Sequence, residues 1–154
     1  MKFVDYTSIS VKAGNGGDGC IAFLREKFRP KGGPAGGDGG HGGSVYFQVS
    51  SNLSTLTDLN YKKHYYAGDG QNGKGKNMHG KNGEDIYIPV PEGTIVIDSD
   101  TKQILADLVD ENQEYKIASG GTGGFGNARF KTQKITAPRI ANNGKKGEFR
   151  KIDL

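Results

Sequence analysis

The sequence predicts a mostly β fold, a small β-sandwich or barrel in which short strands alternate with glycine-rich segments. Three observations support this prediction. Apolar and polar residues alternate over short stretches, as in half-buried strands whose side chains two positions apart share a face. Glycine accounts for 26 of the 154 residues, far above the roughly 7% of an average protein. Helical spacing is confined to Leu53, Leu56 and Leu59, which predict a short helix after an Asn52 cap.

The strands are predicted from the alternation. It runs through residues 8–11 and 45–49, and again through residues 84–90. Residues 94–97 follow after Pro91-Glu92-Gly93, so residues 84–90 and 94–97 are predicted to form a hairpin with a short turn. The remaining predicted strands are residues 104–109, 114–118 and 149–154.

The glycines have a three-residue period. They are concentrated in residues 14–19, 32–43, 68–83, 119–126 and 142–147, and recur three apart within several of these segments. A polyproline II helix has three residues per turn, so glycine at every third position leaves a bare backbone face on which another such helix can lie. We therefore predict packed arms. Flexible linkers would be richer in serine, and collagen would need an unbroken repeat with abundant proline.

Length and composition indicate one domain spanning residues 1–154, with arms at about 14–43, 68–83 and 119–147. The start lacks the apolar run of a signal peptide, and no 18 consecutive apolar residues occur. Cys20 is the single cysteine, and the three histidines are far apart, which argues against a disulfide scaffold or a zinc site. We expect a cytoplasmic monomer with no membrane contact.

Charge is separated along the chain. Residues 119–147 have a net charge of +6 and contain no acidic residue, whereas residues 84–118 have a net charge of −7. Residues 20–31 add +3 and residues 68–83 add +2. A basic end on a bipolar molecule attracts polyanions such as nucleic acid or an anionic membrane.

Motifs of enzymes and nucleotide sites are weak here. The pattern G-x-G-x-x-G occurs four times, at Gly14, Gly37, Gly68 and Gly121, so glycine density alone generates it, and no βαβ unit follows. Residues 75–82 have the spacing of a phosphate-binding loop, but Asn82 replaces the hydroxyl residue that holds Mg²⁺. We expect no catalytic residues, metal or cofactor in this chain.

Cations and aromatic residues flank the arms in residues 23–31 and 125–131. Lys and Arg can contact phosphates, and aromatic rings can stack on unpaired bases of irregular RNA. For Phe23, Phe28, Phe125 and Phe130 we favour packing in the core or at the arm bases, and we assign RNA contact mainly to the charged residues.

Over its whole length the chain resembles the N-terminal domain of the Obg family of GTPases. The resemblance is carried by residues 2–5, 16–27, 30–43, 80–85, 90–94, 120–127 and 138–139, with runs such as Gly16-Gly17-Asp18-Gly19-Cys20 and Val90-Pro91-Glu92-Gly93-Thr94. It implies the Obg fold, with six glycine-rich polyproline II helices projecting from an eight-stranded β base.

The resemblance also implies a function. Family members bind the large ribosomal subunit, where this domain reaches 23S rRNA near the peptidyl-transferase centre, in subunit assembly and in stress and growth control. Their GTPase domain, which holds GTP and Mg²⁺, is expected to begin beyond Leu154 and to be a partner of this one. By position in the matched segments, the expected rRNA contacts are Arg25, Lys27, Lys31, Lys76, Lys81, Arg129, Lys131 and Arg139. Gly80 and Asp85 are expected to support loop geometry.

The sequence is also compatible with two other functions. The acidic residues 84–118 favour a platform for signalling proteins without direct RNA contact, and subunit binding that survived charge reversal at Lys27, Lys31 and Lys81 would favour it. An enzyme assembled from scattered residues is the weakest hypothesis, because no catalytic motif is present.

Overall fold

The computed structural model describes residues 6–23, 33–50, 56, 59, 62–131 and 139–154. Within them the chain forms eight strands and one 3-10 turn, Asn127–Phe130. The strands are β1 (Ser8–Lys12), β2 (Val45–Val49), β3 (His64–Tyr66), β4 (Ile86–Val90), β5 (Thr94–Asp98), β6 (Ile104–Leu108), β7 (Glu114–Ala118) and β8 (Phe149–Asp153). The predicted mostly β fold is confirmed.

The strands form two sheets. One has five strands in the order β3-β1-β8-β5-β6, and the other has three in the order β4-β2-β7. No described strand belongs to both sheets, so they do not close into the barrel that was one of the predicted arrangements. β1 is parallel to β3 and antiparallel to β8, and β2 is parallel to β4 and antiparallel to β7.

A single apolar cluster takes residues from both sheets. In β2, Val45, Phe47 and Val49 are buried while the residues between them are half-buried, as period-two alternation requires. Val11 of β1 and Ile152 of β8 meet them from the five-stranded sheet. Leu56 and Leu59 also join this core, although the rest of the helix predicted around them lies outside the described residues.

The hairpin predicted from residues 84–97 is wrong. The turn is present, with Gly93 at φ +82° and the Thr94 hydroxyl donating to the Pro91 carbonyl. However, β4 pairs with β2 whereas β5 pairs with β6 and β8, so the turn carries the chain from one sheet to the other. β3 was not predicted, because its three residues are mostly exposed and too short to show alternation.

Six glycine-rich stretches of the described chain lie outside the strands, and we call them the glycine segments: residues 13–20, 35–44, 67–75, 77–85, 119–127 and 142–148. Three of them leave the ends of β1, β3 and β7, and three lead into β2, β4 and β8. The ends of the segments remote from the strands therefore lie together, at one end of the described part of the molecule.

The glycine segments are joined by backbone hydrogen bonds that recur every three residues. The amides of Gly14, Gly17 and Cys20 donate to the carbonyls of Gly43, Gly40 and Gly37, at 2.8, 2.8 and 3.0 Å. The donors ascend as the acceptors descend, so these two segments are antiparallel. The parallel pairs follow the same step, as in Gly121 to Gly14, Gly124 to Gly17 and Asn127 to Cys20.

Close backbone approach explains the glycine spacing. At most described glycines, a Cβ atom would collide with the backbone of another segment; at Gly17 it would meet the Gln71 carbonyl, and at Gly39 that of Gly17 itself. Gly33, at the far end of the segments, has space for one. The bare backbone face predicted from the three-residue period is thus where the segments touch.

Candidate nucleic-acid interface

The predicted contact residues fall into three groups. Lys76, Arg129, Lys131 and Arg139 lie at the end of the glycine segments remote from the strands, which we call the arm tip: residues 21–23, 33–36, 75–79, 125–131 and 139–142. Lys81 is exposed but lies along a segment, away from that end. Arg25, Lys27 and Lys31 lie outside the described residues.

Lys76 is presented by a tight turn between two segments. Lys76 and Asn77 both have left-handed backbones, with φ of 59° and 55°, and the amide of Lys74 donates to the Met78 carbonyl to close the turn. The Asn77 amide donates to the Ala35 carbonyl at 2.7 Å, which ties the turn to a third segment. The exposed Lys76 side chain is therefore carried on a fixed backbone.

Arg129 has a structural contact as well as a charge. Its Nε donates to Oδ2 of Asp38, and its guanidinium lies 4.8 Å from the centre of the Phe125 ring. The Asp38 carboxylate also accepts from the Gly126 amide at 2.9 Å and lies 3.7 Å from Nδ1 of His79. Asp38 thus joins three glycine segments and holds Arg129 at the arm tip.

The other two cations of the arm tip lie beside the first segment's end. The Arg139 guanidinium is 5.4 Å from the centre of the Phe23 ring, and Phe23 forms an isolated backbone bridge with Pro34. The Lys131 ammonium approaches Gly33. Residues distant in sequence are brought within one small region.

Exposed apolar side chains accompany these cations. Ile21, Met78, Phe125 and Ile140 are each about half exposed. Packing explains only part of the position of Phe125, because its ring lies at the arm tip, where Arg129 covers one face. Phe23 and Phe130 are partly buried, as that interpretation expects, and Phe28 lies outside the described residues. Cations beside exposed apolar groups suit phosphates and unpaired bases together.

Asn127 was missed from the sequence. It is fully buried, and its Oδ1 accepts from the amides of Gly36 and Ala22, at 2.7 and 3.3 Å, while its Nδ2 donates to the Ala22 carbonyl at 3.0 Å. Because buried polar groups need partners, this amide fixes three chain segments at once. No local pattern marks it, since its partners lie about 100 residues away.

A second missed feature is a ladder of side-chain acceptors. The amides of Asn15, Asp18, Asp38, His41 and Ser44 each donate, at 2.7–2.9 Å, to a side chain on a neighbouring segment. The acceptors are, in the same order, Asp69, Asn72, His79, Asn82 and Asp85. The signal was present, because Asn, Asp, His and Ser recur every third residue beside the glycines.

The two residues expected to support loop geometry lie within this framework. The Gly80 amide donates to the Asp38 carbonyl at 2.8 Å, and a Cβ at Gly80 would collide with the Gln71 carbonyl. Oδ1 of Asp85 accepts from the Ser44 amide at 2.7 Å, where two segments enter their strands.

Among the described residues, no three His, Cys, Asp or Glu side chains are placed to share a metal ion. No helix in the part of the chain that the structure describes is long and apolar enough to cross a membrane.

Comparison with known proteins gives consistent matches along the chain. The family model described as GTP1/OBG matches residues 4–154. The chain is similar to the protein named GTPase Obg of Aquifex aeolicus, with 58% identity over 153 residues, covering 99% of this chain and 45% of that protein. The GTPase Obg proteins of Thermodesulfovibrio yellowstonii and Geobacillus thermodenitrificans are 56% and 55% identical, covering 100% and 99% of this chain and 46% and 35% of those proteins. The chain thus spans between about a third and a half of its curated relatives.

Proposed function

The chain belongs to the GTP1/OBG family, and from this premise we propose that it is the RNA-docking N-terminal domain of a GTPase acting in large-subunit assembly and in stress and growth control. Its target is 23S rRNA near the peptidyl-transferase centre, reached through the arm tip. The observation that carries this proposal is the arm tip itself, where Lys76, Lys131 and Arg139 are exposed beside Ile21 and Met78.

In this proposal the six glycine segments are polyproline II helices. The three-residue step of their hydrogen bonds supports that assignment, because this helix has three residues per turn and no internal hydrogen bonds. Each amide and carbonyl is then left for a neighbouring segment. Rods tied in this way hold the cations in place before RNA arrives, which lowers the ordering cost of binding.

GTP and Mg²⁺ belong, in this proposal, to the part of the longer relatives that this chain does not span. Residues 75–82 do not fit the phosphate-binding loop of a GTPase. In residues 75–82, the stretch closest to a phosphate-binding loop, the amides of Asn77 and Gly80 already donate to Ala35 and Asp38. They are therefore not available to cradle a phosphate.

The test is sedimentation of the chain with purified large ribosomal subunits at two salt concentrations. We expect salt-sensitive binding, and we expect the double variant Lys76→Glu with Lys131→Glu, called the arm-tip variant below, to bind at least about tenfold more weakly with a shallower salt dependence. Lys116→Glu, an exposed lysine on β7, is the matched control and should bind like the wild type. Equal binding by the arm-tip variant would contradict the proposal.

A second candidate, a protein-interaction platform, is favoured by one observation. On the three-stranded sheet the rings of Tyr46 and Tyr87 stack with centres 4.9 Å apart. Partial burial, followed by Glu114, Tyr46 and Asp85, raises the pKa of Tyr87 above its usual value. This aromatic face with acidic neighbours suits a basic protein segment. Subunit binding that is lost in Glu114→Lys and kept in the arm-tip variant would favour this function.

A further inference from the structure

The five-stranded sheet carries a trough on its outer face, away from the arm tip. It has a volume of about 410 Å³, and its lining includes Ser8, Ser10, His64, Tyr66, Phe149 and Lys151. This volume lies in the range of ligand sites. Neither the glycine period nor the charge tally of the sequence pointed to it.

The strand register builds the trough. Ser10 on β1 pairs with His64 on β3 and Lys151 on β8, and Lys12 pairs with Tyr66 and Phe149 on the same two strands. Small serines on the middle strand make the floor, while larger side chains on the flanking strands make the walls. His64 is held against the floor, since its Nδ1 lies 2.6 Å from Oγ of Ser10.

Two aromatic rings are exposed at one end of this trough. Tyr66 is 67% exposed and Phe149 is 56% exposed, so neither contributes much to the core. Lys12, which lies between them in the register, turns its ammonium away to the Ala13 carbonyl and Oδ1 of Asn15, at 2.9 and 2.8 Å. Two ring faces therefore stay accessible on one surface.

The charge of the trough is positive. Lys63 and Lys151 line it together with His64, and none of the described residues in its lining is acidic. The nearby Asp153 carboxylate is almost fully buried and accepts from Ser8, Ser99 and Lys102. Lysines beside exposed rings on a sheet surface match the way that single-stranded nucleic acids are bound, with phosphates on the cations and bases on the rings.

We propose that this trough binds unpaired nucleotides of a single-stranded RNA. The bases stack on Tyr66 and Phe149, and the backbone phosphates contact Lys63 and Lys151. The inference goes beyond the function proposed for the arm tip, from which it takes only the choice of RNA as the polymer. It gives the domain a second RNA contact on its strands.

A direct test uses the absence of tryptophan from the chain. Phe149→Trp places one tryptophan in the trough, and Tyr87→Trp places one at an exposed tyrosine of the other sheet. Titration with a 12-nucleotide single-stranded RNA should quench the first tryptophan in a saturable way and leave the second unchanged. No quenching at position 149, or equal quenching at both positions, would overturn the proposal.

Affinity is then measured by fluorescence anisotropy of the labelled 12-mer, in the arm-tip variant, so that the trough is tested apart from the tip. Tyr66→Ala and Phe149→Ala should each weaken binding by about fivefold or more, the usual effect of losing one stacked base. Tyr66→Phe and the control Tyr87→Ala should stay within about twofold of the background. If the arm-tip variant loses subunit binding and also all oligonucleotide binding, the trough proposal fails while the proposed function stands.

Two further titrations distinguish the source of the ligand. UMP should bind the Phe149→Trp protein far more weakly than the 12-mer, because one nucleotide engages few of the cations. Poly-glutamate should compete poorly at equal charge, because it offers no base to stack. UMP binding as tightly as the 12-mer, or competition by poly-glutamate equal to that of RNA, would overturn the assignment to an RNA strand.

Discussion

In the two sheets, buried side chains such as Phe47 and Val96 fill the space between the layers, whereas in the glycine segments the backbones themselves are in contact. The sheets exclude water by apolar area, and their interior can exchange one apolar residue for another of similar volume. The glycine segments are joined by peptide hydrogen bonds and by polar side chains that accept from backbone amides. At the inward glycine positions of these segments there is no room for a side chain.

This difference teaches where each region tolerates change. A core strand resists the loss of side-chain volume, because a cavity remains. A glycine segment resists the gain of a single methyl group at its inward positions, yet its outward positions are open to solvent. The predictions below test this contrast, from the largest expected effect to the smallest.

The largest effect is expected from a methyl group between two segments. In Gly17→Ala the new Cβ would collide with the Gln71 carbonyl, so the segments must separate and lose hydrogen bonds on both sides. We expect the free energy of unfolding to fall by about 3 kcal/mol, as for severe overpacking. Urea denaturation followed by circular dichroism measures it.

The control is Gly33→Ala. The nearest atom to a Cβ at Gly33 is the Lys131 ammonium nitrogen, 3.8 Å away, so the methyl group fits. Its stability should stay within about 0.5 kcal/mol of the wild type. Equal stability of Gly17→Ala and Gly33→Ala would show that backbone contact does not limit the segments.

The next effect belongs to the sheets and depends on pH. Hydrogen bonds from the Ser8 and Ser99 hydroxyls, together with Lys102, lower the pKa of Asp153 from its usual 3.8 to about 2. A pKa lowered by folding adds stability above pH 4, and this contribution is lost as the pH falls toward 2. We expect a loss of about 2 kcal/mol across that interval, measured by urea denaturation at several pH values.

Asp153→Asn supplies the comparison for this effect. Without the charge, the variant should be less stable than the wild type at neutral pH, and the two should converge near pH 2. A wild-type pH dependence in Asp153→Asn would mean that other carboxylates account for the acid sensitivity of the sheets.

The smallest effect concerns the ladder of side-chain acceptors. Asn72→Ala removes the oxygen that accepts from the Asp18 amide at 2.8 Å, in an exposed position where water can replace it. We expect a loss of about 1 kcal/mol and faster hydrogen exchange at the Asp18 amide. Gln71 bonds to neighbouring segments through its backbone amide and carbonyl, so Gln71→Ala should have the stability and the hydrogen exchange of the wild type. Unchanged hydrogen exchange at the Asp18 amide would show that the ladder of side-chain acceptors does not stabilise the glycine segments.

The parts of the fold that were predictable are those with a local cause. The alternation in Val45–Val49 marks a half-buried strand, and the three-residue period of glycine marks close backbone contact, because each pattern needs only neighbouring residues. The hairpin failed for the opposite reason. Its turn chemistry is local, but the sheet that β5 joins depends on β8, about 50 residues later.

For the candidate interface, the sequence predicted some of the residues but not the contacts between them. Lys76 and Arg139 could be named because they flank glycine-rich stretches. The contacts of Arg129 with Asp38 and of Asn127 with Gly36 join positions about 90 residues apart, and they depend on which segments become neighbours. The trough was missed because Tyr66 and Phe149, more than 80 residues apart, meet only through the pairing of β1 with β3 and β8.

The collision of a Cβ with a facing carbonyl, described for Gly17, shows that the backbone makes most of the contacts between segments, while side chains form the exposed surface. Peptide groups, which every residue supplies, make most of the scaffold, so an outward residue that makes its bonds to other segments through its backbone, such as Gln71, can be replaced at little structural cost. Substitutions at such positions can therefore change the charge or the shape of the surface while the backbone arrangement of the segments stays the same.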